Sequence, residues 1–182
     1  MNLKEHIRNI PDFPQEGVIF RDITPLLDNA EAFRSSVLQM SEPFKNAGIQ
    51  KVAAIESRGF FFGPSVAIEL GCGFVPVRKL GKLPWKTDRE TYSLEYGSAT
   101  IEVHNDAFTE GERVLLLDDV LADSKNSFVI VLSLILPISC SPIRTCSLIT
   151  ANSSCVPRCF ACALLRVVKL STFFYLIPCY NI

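Results

Sequence analysis

The pattern of apolar side chains predicts helices in three segments of the chain. The first segment follows Asn29, with spacings of four, three and four between Phe33, Val37, Met40 and Phe44. This spacing predicts an amphipathic helix with Asn29 as its N-cap, and Pro43 is expected to kink or end it. A second helix is predicted over residues 60–70 and ends at Gly71. A short opening helix is predicted from Leu3, Ile7 and Ile10.

Short apolar runs between these helices predict β-strands at residues 18–20, 51–55, 73–79 and 113–117. Residues 100–104 alternate between polar and apolar and predict a half-exposed strand. Strands that alternate with helices predict an α/β fold with a largely parallel sheet. Ligands bind such folds beyond the carboxyl ends of the strands. Two polar groups fall there, Glu56-Ser57-Arg58 and Asp118-Asp119.

Composition divides the chain near residue 123. Residues 1–123 contain 13 of the 18 Lys and Arg, all 19 Asp and Glu, both His and all nine Gly. Residues 124–182 contain none of Asp, Glu, His or Gly, but six of the seven Cys. Folded segments normally need glycine at caps and turns. We therefore predict a domain over residues 1–123 and a poorly folded tail over residues 124–182.

Charge and the N-terminal sequence narrow the function classes. The formal net charge of -1 argues against a dedicated nucleic-acid binder, which would carry a basic excess. The first residues carry charge and precede no apolar run, so no signal peptide is visible and a cytoplasmic location is expected. Cys72 is expected to be a small buried hydrophobe, and His104 is expected to face solvent without a catalytic role.

Several residues suit a phosphorylated sugar before any family is considered. Asp118 and Asp119 after an apolar strand can accept hydrogen bonds from ribose hydroxyls, and equally can cap a strand end. Arg58, in a turn that contains glycine, suits an anion, although a solvated surface role is as plausible. Phe20 can stack on a flat ring, although core packing is the commoner role of a Phe. A basic group beside Gly81 suits an anion or a solvated loop, and comprises Arg78, Lys79, Lys82 and Lys86.

Taken together, these residues and the sequence around them resemble the adenine phosphoribosyltransferases, a branch of the type I phosphoribosyltransferases. Three strings indicate the adenine branch: Phe-Arg-Asp at residues 20–22, Gly-Lys-Leu-Pro at 81–84 and Leu-Glu-Tyr-Gly at 94–97. Glu-Ser-Arg-Gly-Phe at residues 56–60 and the apolar run ending in Asp-Asp-Val-Leu-Ala at 118–122 also match. The resemblance covers residues 1–122 and implies a Rossmann-like α/β parallel-sheet phosphoribosyltransferase fold with a mobile hood loop.

The resemblance implies a transfer reaction of purine salvage. Adenine and 5-phosphoribosyl 1-diphosphate would give AMP and diphosphate, with Mg²⁺ held mainly by substrate oxygens and water. By the same resemblance, Ile19, Phe20 and Arg21 line the adenine pocket, with the Phe20 ring stacked on the base. Glu95 and Tyr96 lie on the hood loop, and Glu95 exchanges a proton with the adenine ring. The family also implies a homodimer.

The remaining implied roles concern the donor. Arg58 would hold the diphosphate with help from Lys82, and Arg78 would reach a diphosphate across the dimer interface. Asp118 and Asp119 would bind the ribose hydroxyls and the water shell of the metal. No direct protein ligand to the metal is implied.

The similarity stops after Ala122, the last substrate-binding residue that the resemblance assigns. The family continues with Thr-Gly-Gly-Thr, which holds the 5′-phosphate, whereas this chain continues Asp-Ser-Lys-Asn at residues 123–126. The glycines that let the backbone approach a phosphate are absent. We therefore expect impaired activity, and expect the last part of the sheet to be missing or aberrant.

Four interpretations of residues 124–182 stay open. The segment is an out-of-frame or intron-derived sequence, a membrane segment over residues 126–143, a metal site, or a divergent folded ending. The metal site would use Cys155, Cys159 and Cys162. Two functions of different class follow: an adenine phosphoribosyltransferase with reduced activity, or a splice or frameshift variant that is at most a non-catalytic dimer partner. A tail-anchored membrane form is a third.

Overall fold

A six-stranded mixed sheet forms the centre of the protein. The structure is a computed structural model that describes residues 1–94, 97–109, 111–117, 120–121, 128–129 and 134–137. Three strands lie parallel at its centre: β3 (Lys51–Ile55), β4 (Gly73–Lys79) and β7 (Arg113–Leu117). In the register, Lys51 lies opposite both Gly73 and Val114. The βα alternation of the sequence therefore predicted the central strands correctly.

Two helices cover one face of this sheet. They are α2 (Ala30–Ser41), which leads into a 3-10 turn at Glu42–Phe44, and α3 (Gly59–Leu70). α3 packs against β3, β4 and α2. Val52, Ala54, Leu115 and Leu117 of the strands belong to the same buried cluster as the inward side chains of both helices. Burial of this apolar surface is the main stabilising contribution to the fold.

The helix boundaries confirm the sequence signals. The Asn29 side chain accepts a hydrogen bond from the Ala32 backbone N–H at 2.9 Å, so Asn29 is the predicted N-cap. α2 ends before Pro43, as predicted. Gly71 ends α3 with φ of 67°, a left-handed conformation that glycine adopts readily. The two helices can therefore be read from the sequence almost residue by residue.

The N-terminal segment differs from the predicted opening helix. A single 3-10 turn, Leu3–His6, is followed by the strand β1 (Arg8–Ile10), which pairs antiparallel with β2 (Phe20–Asp22). Strand pairing places Ile10 opposite Phe20, so the predicted helical continuation to Ile10 is wrong. The predicted strand at 18–20 lies two residues further along. A short helix, α1 (Thr24–Asp28), was not predicted.

The edge of the sheet is an antiparallel hairpin of β5 (Thr87–Leu94) and β6 (Gly97–His104), and β6 pairs with β4. The prediction of a largely parallel sheet is therefore wrong at this edge. β6 contains the predicted strand at 100–104, but that strand is not half-exposed. Ile101, Glu102 and Val103 are all buried because neighbours cover both faces of β6.

Beyond residue 117, three short strands are described. β8 (Val120–Leu121) pairs with β9 (Phe128–Val129), and β10 (Leu134–Pro137) joins β7 at the other edge of the sheet. The β10–β7 pair is antiparallel, unlike the parallel continuation that a βαβ repeat predicts. The described parts of residues 126–143 are thus strands. The cysteines of the predicted metal site lie outside the described residues.

Close contact between α3 and the sheet depends on the missing side chain of Gly63. A Cβ built there would lie 2.6 Å from Ala54 Cβ and 2.7 Å from the ring carbon Cε2 of Phe74. We predict that Gly63→Ala lowers the free energy of unfolding by about 1–3 kcal/mol through overpacking. Urea denaturation followed by circular dichroism measures it. Ser65→Ala on the same helix is the control and should change stability by less than about 0.5 kcal/mol; an unchanged Gly63→Ala variant would contradict this packing.

Candidate functional site

Two groups of polar side chains meet where β3 ends. The turn after Ile55 carries Glu56, Ser57 and Arg58 and leads directly into α3. The Glu56 N–H donates to Val77 O at 2.8 Å, which ties this turn to the end of β4. The carboxyl ends of two parallel strands thus bring together side chains that are distant in sequence, as the α/β pattern predicts.

The first group, named here the Phe20–Arg58 group, joins β2 to this turn. The guanidinium of Arg58 lies over the Phe20 ring, 5.3 Å from its centroid. Arg58 Nη2 also donates to the Arg21 carbonyl at 3.1 Å, and the Arg21 side chain donates to Asn9 Oδ1. Phe13 packs edge-on against Phe20, with centroids 5.2 Å apart. An aromatic ring and a fixed cation thus form one surface suited to a flat ring beside an anion.

Asp22 fixes the end of β2 beside this group. Its Oδ1 accepts hydrogen bonds from the Thr24 backbone N–H at 2.9 Å and the Thr24 hydroxyl at 2.7 Å. Its Oδ2 pairs with Arg8 at 3.4 Å. The hydrogen bonds from Thr24, followed by the charges of Arg8 and Arg58, lower the pKa of Asp22. Asp22 therefore links β1, β2 and the start of α1.

The second group, named here the Glu56 cation group, surrounds the Glu56 carboxylate. Oε2 accepts from Arg78 Nε and from the Lys79 backbone N–H, both at 3.2 Å, while Oε1 pairs with Lys82 Nζ. Arg78 Nη1 donates in turn to the Lys82 carbonyl at 3.1 Å. The Glu56 side chain is only 9% exposed, whereas the side chains of Arg78 and Lys82 are 33% and 46% exposed. The group presents two cations outward from one buried anion.

The protonation of Glu56 follows from these contacts. Burial raises the pKa of the carboxyl, but hydrogen bonds from Lys82, the Lys79 N–H and Arg78, with the Arg78 charge, outweigh burial and lower the pKa to about 2. Glu56 is therefore ionised at any physiological pH. Its charge is available to bind Lys82, and an incoming polyanion would compete with it for the same cation.

The structure describes six of the residues that the sequence singled out for substrate binding. Phe20, Arg21 and Arg58 contact one another, and Arg78 and Lys82 contact each other through Glu56. Ile19, next to Phe20, is 48% exposed. The other predicted site residues lie outside the described residues: Glu95, Tyr96, Asp118, Asp119 and Ala122. Their roles stay predictions.

The roles of two acidic residues, Glu56 and Glu102, are not visible in the sequence. Glu56 was noted only as part of a strand-end turn, although a carboxylate directly after a buried strand is the same signal that singled out Asp118. Glu102 was assigned to the exposed side of an alternating strand, but it is buried and accepts three hydrogen bonds. A glutamate between isoleucine and valine gave no local sign that tertiary contacts would bury it.

Two single residues differ from expectation. The Nε2 atom of His104 is buried and has no hydrogen-bond partner within the described part of the chain, so the prediction that His104 faces solvent is wrong for this atom. Cys72 is half-buried rather than buried and packs against the core cluster. Burial raises the pKa of its thiol, which keeps the thiol protonated at neutral pH.

The described part of the chain holds neither a cluster of metal-ligating side chains nor a helix suited to a bilayer. In that part of the chain, no group of three His, Cys, Asp or Glu side chains has the proximity needed to hold a metal ion. Similarly, the helices described there include none of the length and apolar character needed to cross a bilayer.

Comparison with known proteins finds similar enzymes and one matching domain family. The phosphoribosyl transferase domain family matches residues 26–165. The adenine phosphoribosyltransferase of Maricaulis maris is 57% identical over 122 residues, which cover 67% of this chain and 70% of that enzyme. The crystal structure of adenine phosphoribosyltransferase from Thermoanaerobacter pseudethanolicus has a TM-score of 0.63 and 49% identity, covering 66% of this chain and 70% of that one.

A similar relative has been solved with ligands. The adenine phosphoribosyltransferase of Saccharomyces cerevisiae, complexed with an imino-altritol bisphosphate and adenine, has a TM-score of 0.62 and 41% identity, covering 66% of this chain and 70% of that one. The similarity to each of these three proteins thus spans about two thirds of the chain, while the family match reaches residue 165. The predicted domain boundary at residue 123 stays a prediction.

The buried Glu56 carboxylate leads to a prediction about stability and pH. Folding lowers the Glu56 pKa from its usual 4.5 to about 2, so its stabilising effect is complete above about pH 4.5 and is lost as the pH falls towards 2. We predict that Glu56→Gln lowers the free energy of unfolding by about 1–2 kcal/mol at pH 7, allowing for the partly exposed cations. The difference from wild type should shrink between pH 4.5 and 2.

Urea unfolding at a series of pH values measures this difference. Glu69→Gln, an exposed position on α3, is the matched control and should leave stability nearly unchanged at every pH. A Glu56→Gln effect that is equally large at pH 7 and pH 2.5 would contradict the ion-pair account.

Proposed function

The chain belongs to the phosphoribosyltransferase family, among the adenine phosphoribosyltransferases, and from this premise we propose which of its residues bind each substrate and which step is impaired. The activity of the family branch joins adenine to 5-phosphoribosyl 1-diphosphate and releases diphosphate, leaving AMP. One contact carries the assignment of sites: the Arg58 guanidinium, just after β3, lies 5.3 Å from the centroid of the Phe20 ring on β2. Arg58 also donates to the carbonyl of Arg21, although these two residues are 37 positions apart in the sequence.

Phe20 provides the stacking surface for adenine. Arg58 covers one face of the ring, so a base that stacks on Phe20 uses the opposite face. Ile19 and Arg21 flank Phe20 in the sequence, and the exposed Ile19 side chain adds apolar surface for the base. Backbone N–H and C=O groups of these residues would read the base edge, since such groups give direction that stacking lacks.

Arg58 and Lys82 hold the diphosphate of the donor. Both are cations at the strand end, and Arg58 offers a planar fork that matches phosphate oxygens. In this structure Lys82 is paired with Glu56. Diphosphate carries more charge than a carboxylate and therefore displaces Glu56 from Lys82 on binding. Arg78 is held within its own chain by Glu56, and its reach to a diphosphate across a dimer interface remains part of the proposal.

The hood loop and the ribose site involve residues outside the described part. The β5–β6 pairing continues to Leu94 opposite Gly97, the residues that flank Glu95 and Tyr96 in sequence. We assign these two residues to closure over the substrates, which excludes water from a sugar carbon that becomes electron-poor. Glu95 exchanges a proton with the adenine ring. Asp118 and Asp119 bind the ribose hydroxyls, and Ala122 contributes its backbone to the donor site.

Mg²⁺ accompanies the donor in this proposal. By the family resemblance, the ion would be held mainly by substrate oxygens and water, with Asp118 and Asp119 at the water shell. When bound, the ion neutralises part of the diphosphate charge. The protein's own contribution there is to orient the diphosphate through Arg58 and Lys82.

Impaired turnover is the expected consequence of the sequence after Ala122. Asp-Ser-Lys-Asn at residues 123–126 replaces the family's glycine-containing phosphate loop and adds a negative side chain. Each lost hydrogen bond to a charged group costs roughly 1.5–3 kcal/mol, so the loss of two lowers catalytic efficiency about 10²- to 10⁴-fold. The second candidate function is a non-catalytic variant that acts at most as a dimer partner, and the same substitution favours it. A cytoplasmic, homodimeric enzyme of purine salvage is the setting that we propose.

Turnover tests the impairment. We predict that the chain forms AMP from adenine and 5-phosphoribosyl 1-diphosphate with kcat/KM about 10²- to 10⁴-fold below the Maricaulis maris enzyme assayed in parallel. The variant with Asp123→Thr, Ser124→Gly, Lys125→Gly and Asn126→Thr should regain part of the loss if the sheet beyond it supports the loop. Turnover of the unmodified chain equal to that of the relative would contradict the proposal.

Adenine binding tests the base site independently of turnover. We predict that Phe20→Ala raises the Kd for adenine about tenfold, because stacking of a base on an aromatic ring contributes about 1–3 kcal/mol. Isothermal titration calorimetry on the full chain measures it. Phe61→Ala, an exposed aromatic on α3, serves as the control and should leave the Kd unchanged. An unchanged Kd in Phe20→Ala would place the base elsewhere.

A further inference from the structure

A second buried carboxylate holds the backbone of the loop that carries Lys82. Glu102, in the middle of β6, is 2% exposed. Its Oε1 accepts from the Lys82 backbone N–H at 3.0 Å and from the Leu83 backbone N–H at 3.1 Å. Its Oε2 accepts from the Thr87 hydroxyl at 3.3 Å. All three donors belong to the segment between β4 and the start of β5, so one side chain binds this connection at three points.

The hydrogen bonds to Glu102 are strong because their acceptor is a buried carboxylate. A carboxylate that is almost fully buried is stable only when hydrogen bonds replace its lost hydration, and hydrogen bonds to a charged acceptor are about twice as strong as neutral ones. The two N–H groups are adjacent and point at a single oxygen, which fixes the backbone direction at Lys82. Gly81, with φ of 80°, lets the chain turn just before these donors.

Lys82 is therefore held at both ends. Glu102 binds its backbone N–H, and Glu56 binds its side-chain ammonium. These two acids have different positions, since Glu56 follows β3 and Glu102 lies on β6. When an anion takes the ammonium from Glu56, the Lys82 backbone is still held by two contacts: its N–H donates to Glu102, and its carbonyl accepts from Arg78.

We propose that Glu102 is a positioning residue that holds the Lys82 loop in its diphosphate-binding geometry. This rests on the proposed function, in which Lys82 contacts diphosphate. Glu102 touches no substrate and acts through Lys82 alone. Without it, the lysine loses orientation, and part of the binding free energy for diphosphate goes into ordering the loop.

A purely structural role makes a different prediction. β6 is also held by its pairing with β4 and β5, and the loop start is held by the Leu80 N–H, which donates to Thr100 O at 3.2 Å. The hairpin therefore has contacts that do not involve Glu102. If Glu102 served only stability, its replacement would weaken adenine and diphosphate binding alike, and would do so equally with or without Lys82.

Titration of the full chain with inorganic diphosphate in the presence of Mg²⁺ tests the proposal. We expect Glu102→Leu to raise the Kd about tenfold and Glu102→Gln less than about threefold, because an amide oxygen still accepts from both N–H groups. Adenine affinity should change less than twofold in both variants. Glu102→Asp keeps the charge but shortens the reach, and should weaken diphosphate binding at least about threefold. It provides the test should Glu102→Leu not fold.

A double-mutant cycle with Lys82→Ala identifies the route of the effect. Lys82→Ala alone should raise the diphosphate Kd about tenfold, and adding Glu102→Leu should raise it less than twofold further. Faster amide hydrogen exchange at Lys82 and Leu83 in Glu102→Leu would support the loop contact directly. Glu69→Gln is the control for loss of a negative charge and should match wild type.

Three results would overturn the proposal. Additive effects of Glu102→Leu and Lys82→Ala would show that Glu102 acts by another route. A diphosphate Kd unchanged in both Glu102→Leu and Glu102→Asp, with a clear effect of Lys82→Ala, would reject Glu102 while leaving the role of Lys82 intact. An unchanged Kd in Lys82→Ala would reject the proposed diphosphate role of Lys82 itself, and the positioning role would fail with it.

Discussion

The site depends on the buried carboxylate of Glu56 at the carboxyl end of β3. Lys82, Arg78 and the Lys79 N–H converge on it, and these contacts keep it ionised despite its burial. An anion in this position collects cations where the donor's diphosphate is expected to bind. It also keeps those cations from repelling one another before the ligand arrives. The turn at the same strand end places Arg58 over the Phe20 ring, so one turn connects the two sites that we propose for adenine and diphosphate.

Much of the scaffold could be predicted from the sequence because its signals are local. The helix caps at Asn29 and Gly71 and the apolar runs of β3, β4 and β7 determine elements without help from distant residues. The errors lie where tertiary contacts override local pattern. Ile10 continues a helical spacing, yet its backbone pairs with Phe20 across a loop. Glu102 alternates like a surface residue, yet Lys82 and the segment between β4 and β5 cover it.

The candidate site also contains residues that the sequence singles out and residues that only the fold reveals. Residue type and position single out Phe20, Arg58 and Lys82, the family resemblance implies their roles, and the structure brings Phe20 to Arg58. The acids that organise these residues were missed because a glutamate beside apolar residues gives no sign of which distant N–H groups it will bind. Glu56 and Glu102 thus became visible only through the fold. The ribose, hood-loop and phosphate assignments rest on sequence resemblance, and the sequence departs from the family pattern after Ala122.

A crystal structure of the chain with adenine and diphosphate tests this account most directly. The account places adenine against the face of Phe20 that Arg58 leaves open. It places diphosphate on Arg58 and Lys82, with the Lys82 ammonium released from Glu56 and its N–H still bound to Glu102. Adenine away from Phe20, or a diphosphate that contacts neither Arg58 nor Lys82, would contradict it.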